Sequence, residues 1–243
     1  MNWREKVSYI QGESFIVIES IVKEDPEEWL EVLEALSKDA SIWRCSSVRV
    51  LLSAMNDTVE TRLKKLGFTF LEEKIFVRFD LDKLGKEISL FILRSIHDVP
   101  PHVFQKTWQR TMAGSPNAPS TMSMEEQMRN VANELGPTYR DSCLIAYEEE
   151  EPIGVLMPHL EPGKEGEGRF FYFGLVPEER GREKSLPLYV QGLHLLKEQF
   201  GASYSVGSTS AGNIPMRKVF RKAGGIQTGR KYVYEWRKRG DGK

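Results

Sequence analysis

A layered fold of the α/β or α+β class is predicted for this chain by three observations. Runs with the two-residue alternation of strands take turns with runs of helical period. Clusters of Gly, Pro, Asn and Ser separate them. Two stretches far apart in the chain also repeat one another, as expected of a supersecondary unit used twice.

The elements follow in order. Residues 12–22, GESFIVIESIV, are β-branched and read as a buried strand. Residues 26–40 read as a helix, with Asp25 as N-cap, Pro26 at its first position, and Trp29, Leu30, Leu33 and Leu36 on one face. A strand at 47–55 leads to a short helix carrying Val59, Leu63 and Leu66 and closed by Gly67. Residues 68–81 read as a hairpin of two strands, and the polar 82–87 as a linker. A strand at 88–96, a helix from Pro101, and the breaker-rich loop 114–123 come next. Ser123 and Glu126 form a capping box for the helix that follows. Residues 142–160 read as a hairpin around Glu148–Glu151, and 168–176 as an aromatic strand. After the turn VPEERGREKS comes a helix to Gly201, a strand at 202–210, a short helix from Asn213, and a last strand at 229–236.

Composition narrows the function classes. The 243 residues are 40% hydrophobic and 28% charged, as in soluble globular proteins. A formal net charge of −1 gives no global attraction to nucleic acid or membrane. Basic residues do gather late, from Arg217 to Arg239, but the aromatics among them alternate as in a plain strand, so nucleic-acid binding is the weakest reading. No apolar run reaches the roughly 18 residues of a membrane span, and the charged N-terminus does not resemble a signal peptide. Cys45 and Cys143 stand apart from each other and from the four histidines, so no metal site is expected and a reducing cytoplasm fits.

The repeat sets Asn56-DTVETRLKKLGF against Asn213-IPMRKVFRKAGG, an offset of 213 − 56 = 157 residues. Val59 matches Met216, Leu63 matches Phe220, Lys65 matches Lys222 and Gly67 matches Gly224, with a strand, helix and strand before each Asn. The expected division is therefore a truncated unit at 1–85 and a full one at 86–243.

Two motifs stand in the second copy: Val176-Pro177-x-x-Arg180-Gly181, and Asn213-x-x-Met216 ending in Phe220-x-x-x-Gly224. In this order, joined by a helix and a strand, they resemble the GNAT superfamily of acyl-CoA N-acyltransferases. The resemblance implies an α+β fold with a central mixed, mostly antiparallel sheet flanked by helices. It implies acetyl-CoA as cosubstrate, no metal, and direct transfer of the acyl group to an amine acceptor in a ternary complex. It implies cofactor contacts from Leu175, Val176, Arg180, Gly181, Arg182, Lys184, Ser185, Asn213, Met216, Phe220 and Lys222. A backbone N–H near Leu175 or Val176 is the expected oxyanion donor. Tyr172 and Ser208 are the catalytic candidates, Gly174 a candidate bulge, and Ser185 the expected helix N-cap. Glu183 stands where the family has a loop glycine, and Phe220 where many members have a tyrosine. The first copy shows no Arg-Gly loop and is expected to bind no CoA. A non-catalytic CoA-binding or partner-binding module is the alternative, and homodimerisation is left open.

Overall fold

The computed structural model describes residues 2–12, 14–21, 25–86, 90–117 and 122–238. Parts of five predicted segments lie outside the described residues: Glu13 and Val22 of the first strand, Glu87 of the linker, 88–89 of the strand after it, 118–121 of the loop, and Arg239 of the basic group. The chain forms two compact units, Met1–Ile75 with Gly229–Lys243, and Phe76–Thr228. Its crossings fall inside two long strands, β4 (Thr69–Asp80) and β10 (Ile226–Arg237), rather than at 85/86. The predicted hairpin at 68–81 is thus one strand. Leu71-Glu72-Glu73-Lys74 offers no Gly, Asn or Pro to turn on, so the chain runs straight.

In the first unit the strand order is β1 (Val7–Gln11), β2 (Phe15–Ile21), β3 (Ser47–Leu52), β10, β4. Strand β1, five residues long with Ser8 and Gln11 exposed, gives too short an alternation to have been read from sequence. β1 and β2 are antiparallel, whereas β2 and β3 are parallel, joined through α1 (Pro26–Lys38). The Asp25 carboxylate caps α1 by accepting from the Glu28 N–H at 2.8 Å, as predicted. Trp29, Leu33 and Leu36 of α1 meet Val59 and Leu63 of α2 (Asp57–Lys65) in one core with Ile16, Ile18, Val48 and Val50. Asn56 caps α2 through the N–H groups of Thr58 and Val59.

Asp39, just past α1, gathers four donors: the Ser41 hydroxyl and N–H, the Trp3 indole N–H and the Arg4 guanidinium. The Ser41 hydroxyl, with help from Trp3 and Arg4, holds its carboxyl far below the usual carboxylate range. A depressed carboxyl stabilises the fold above its unfolded pKa, about 3.9, and loses that contribution as pH falls below it. Asp39→Asn is therefore expected to lower stability by about 1–2 kcal/mol at pH 7 and by progressively less towards pH 2. Urea titrations across that range check this; an equal loss at all pH values would refute it.

In the second unit the order is β4, β9 (Tyr204–Ser210), β8 (Glu167–Leu175), β7 (Glu151–Leu160), β6 (Leu144–Glu148), β5 (Ile92–Ser95). β5 to β8 run antiparallel in sequence, and β8 turns parallel to β9 through α6 (Ser185–Glu198). Gly201, at φ +72°, lies beyond the end of α6 rather than within it. Helices α3 (Pro101–Met112) and α4 (Met124–Leu135) cover one face, with Phe104, Trp108 and Val131 packed on Ile145, Val155 and Met157. The capping box of Ser123 and Glu126 is formed. A one-turn helix, α5 (Tyr139–Ser142), was not foreseen. On the other face α6 and α7 (Ile214–Lys222) bury Tyr189, Leu193, Val219 and Phe220 against Val77 and Phe79. Gly192 lets α6 lie close on β8, since a Cβ there would come within 2.8 Å of the Phe170 ring.

The two units share a pattern. β1-β2-β3 in one and β7-β8-β9 in the other each place an antiparallel pair beside a parallel one. The neighbour of β3 is β10 and the neighbour of β9 is β4.

Candidate functional site

β8 and β9 pair at only two positions, Glu167 with Tyr204 and Gly168 with Ser205. Beyond them the strands part, leaving the edge of β8 from Arg169 onward without a ladder to β9. A bulge helps this. Phe170 pairs with Pro158 and Phe173 with Leu156, so three steps of β8 oppose two of β7. The bulge thus lies at Phe170–Phe173, before Gly174. Phe171 and Tyr172 consequently both pack towards Trp108, at 6.4 and 5.7 Å between ring centroids, while Phe170 and Phe173 pack under α6.

The opening is a cleft of about 430 Å3 within the second unit. It brings together Tyr172, Leu175, Arg180, Gly181, Lys184, Ser185, Ser208, Asn213, Met216 and Phe220 from the predicted set. Val176 is buried beside it, and Arg182 and Lys222 are exposed and do not line it. The Val176 N–H donates to the Ile153 carbonyl at 3.0 Å, so it is not the free donor expected there. N–H groups alternate along a strand, which sends the Leu175 N–H towards the unpaired edge.

At the mouth, a 3-10 turn at Pro177–Glu179 leads to Gly181 and Glu183, both with left-handed backbone at φ +74° and +60°. Glu183 therefore keeps the shape that glycine favours, against a steric cost of about 1–2 kcal/mol. α6 begins at Ser185 itself; Lys184 is in the N-cap position and no side chain caps the helix. The N–H groups of Ser185 and Leu186, at the positive end of the helix, are thus open to an anion. Glu183→Gly is expected to leave stability within about 1 kcal/mol, as relief of the left-handed cost is offset by chain entropy. It should tighten binding of an anion at the loop by about threefold, because a like charge goes. Calorimetry with wild type and variant tests this; weaker binding would count against it.

The cationic side chains do not reach into this space freely. Arg180 gives Nε to the Leu175 carbonyl at 3.2 Å, Nη2 to Thr111 at 2.8 Å, and Nη1 to Ala113 at 2.8 Å and Gly114 at 3.3 Å. It pins the loop after α3 to the end of β8. Lys184 sits between Glu148 and Glu179, the latter at 2.6 Å, and these carboxylates raise its pKa. Arg182 meets Glu179 at 3.6 Å.

Asn117 holds the same loop on the other side. Its Oδ1 accepts from Thr209 Oγ1 at 3.1 Å and from Asn213 Nδ2 at 2.9 Å, while Asn213 Oδ1 caps α7 at the Met216 N–H. Segment 113–117 is thus a strap fixed to β8 by Arg180 and to β9 and α7 by Asn117. The strap fixings, Asn117 and Thr111, were not singled out from sequence, and neither was Tyr189. Tyr189 is 1% exposed, and rings of Phe79, Phe170, Phe173 and Phe220 surround it at 5.0–5.6 Å between centroids. The residue lines the cleft, its buried hydroxyl has no hydrogen-bond partner among the described residues, and burial pushes its pKa far up. Nothing in a helical LPLYVQG marks such a hydroxyl.

The fold of this chain recurs in solved structures. A GCN5-related N-acetyltransferase from Sphaerobacter thermophilus superposes with a TM-score of 0.62 at 14% identity, covering 95% of this chain and 76% of that one. A functionally unknown conserved protein from Staphylococcus epidermidis gives 0.61 at 11% identity, with 98% of each chain covered. This chain has the GNAT fold. A tandem GNAT protein from the clavulanic acid biosynthesis pathway matches 93% of it and 76% of its own length, at 11% identity and a TM-score of 0.56. No protein-family model and no curated protein matches the chain. Identities this low carry the GNAT architecture and leave the reaction to the site. Among the described residues no helix is long and apolar enough to cross a membrane, and no cluster of metal-ligating side chains occurs.

Proposed function

We propose that the second unit is an acyl-CoA-dependent N-acyltransferase that uses acetyl-CoA. The observation that carries this is the pairing of β8 and β9 for two residues only, followed by an open cleft that ends at an uncapped helix. The residues present suit the cosubstrate. Ser185 and Leu186 N–H groups suit its pyrophosphate. The free edge of β8 suits the amides of the pantetheine arm, by the same main-chain bonding that lets a peptide add to a sheet. The orphaned Tyr189 hydroxyl suits a polar atom of the arm, since a buried hydroxyl without a partner costs about 1–3 kcal/mol. The Leu175 N–H is the oxyanion donor, and the strap holds the acceptor against the thioester, so proximity supplies much of the rate. Exposed Arg221 and Lys222 on α7 offer charge for the 3′-phosphate. Titration of acetyl-CoA into the full chain tests the reading: micromolar binding is expected, and none at millimolar ligand would overturn it.

The first unit is read as a second copy of the same supersecondary unit, without an acyl-CoA site. There β2 and β3 stay paired at four positions, Phe15 with Ser47 through Ile18 with Val50, against two for β8 and β9. The Asp25 carboxylate also occupies the helix terminus that an anion would need. A CoA-binding module without turnover is the second reading of the cleft. No Asp, Glu or His lines it among the described residues, which favours that reading. It predicts acetyl-CoA binding with no thiol release in the presence of any amine.

A further inference from the structure

The strap end of the cleft carries a fixed positive charge and no base. The Arg180 guanidinium lines the cleft with all its observed bonds on neutral carbonyls, and among the described residues no carboxylate pairs with it. The carboxylates nearest in sequence are engaged elsewhere, Glu178 with Arg110 at 3.4 Å and Glu179 with Lys184 and Arg182. Residues 113–123 contain no Asp, Glu or His at all. Beside this charge stands an aromatic wall, Phe171 and Tyr172 backed by Trp108.

An alkylamine with a pKa near that of lysine, about 10.4, is an ammonium ion at neutral pH. It would meet a like charge here, with no anion to bind it and no base to free its lone pair. An arylamine spreads its lone pair into the ring, is uncharged at neutral pH, and offers a flat face for edge-to-face or stacked packing. Resting on the acyltransferase reading above, we propose that the acceptor is a neutral arylamine, bound against Phe171 and Tyr172 beneath the strap and selected over alkylammonium compounds by the unpaired charge of Arg180. In the step, the amine nitrogen forms a bond to the thioester carbonyl carbon and the C–S bond breaks. The nitrogen loses one proton to water, and the CoA thiolate takes one from water, so the products are an N-aryl acetamide and CoA thiol.

The experiment has two stages, on the full chain. Acetyl-CoA titration comes first; absence of binding there overturns the acyl-CoA reading and this inference with it. With binding established, thiol release is followed with aniline and 4-methylaniline against 1,4-diaminobutane and lysine amide. A kcat/KM at least tenfold higher for the arylamines is the expected result. Equal or better use of the alkylamines, or no thiol release with any amine, overturns the inference while leaving acetyl-CoA binding intact. Ser115→Asp, which puts a carboxylate into the strap, provides a second measurement. It is expected to move the arylamine-to-diamine ratio at least fivefold towards the diamine, and an unchanged ratio would speak against selection by charge.

Discussion

Arg180→Met is expected to cost about 2–4 kcal/mol of stability and to weaken acetyl-CoA binding by tenfold or more. The stability estimate follows from its partners. Two of the four bonds, to the Leu175 and Thr111 carbonyls, are partly buried. A charged donor contributes about 1.5–3 kcal/mol per bond, and a carbonyl left dry costs about 1–3 kcal/mol. The bonds to Ala113 and Gly114 are exposed, and those carbonyls regain water. Methionine keeps the stem of the side chain, so packing losses are small. Binding falls because the strap and the end of β8 lose their common anchor. The salt dependence of what remains should match wild type. An arginine that served only as a phosphate ligand would give the opposite pattern: unchanged urea midpoint, lost affinity and a shallower salt slope. That pattern would show the carbonyl network to be incidental.

The same residue shows what sequence reading reaches. An Arg-Gly pair between an aromatic strand and a helix located the loop, and the left-handed φ of Gly181 agrees with it. The bonding of Arg180 was out of reach, because three of its four acceptors are the backbone carbonyls of Thr111, Ala113 and Gly114, about seventy positions away, and any residue type supplies a carbonyl. Helix limits with local causes were legible: Asp25 before Pro26, Ser123 with Glu126, and Asn213 before α7. The expected cap at Ser185 failed because the chain at Lys184 is already helical, at φ −78° and ψ −22°, which puts Ser185 inside the first turn. Strand pairing was illegible for the same reason as the Arg180 network. Nothing in GRKYVYEW says that β10 lies beside β3, with Val233 against Leu51 and Glu235 against Arg49. The ion pair between Glu235 and Arg49 at 2.9 Å becomes visible only once the register is known.

Gly207→Val is expected to weaken acetyl-CoA binding at least thirtyfold, about 2 kcal/mol, at a stability cost of about 1–3 kcal/mol. Gly207 lies on β9 in the part that has left β8, and it lines the cleft. A Cβ there would stand 3.1 Å from both the Tyr189 hydroxyl and the Phe220 ring. Those rings belong to a packed aromatic cluster and have little room to move. Two further methyl-sized groups must therefore project into the space between the strands. The overpacking cost falls on the folded state whether or not ligand is present, so the urea midpoint measures it separately. The loss of affinity is specific to a ligand that lies between β8 and β9. Gly207→Ala should fall between wild type and valine in both measurements. Valine that lowers the urea midpoint but leaves acetyl-CoA affinity within threefold would place the cosubstrate somewhere other than the cleft, and the acyl-CoA reading of this fold would have to be given up for this chain.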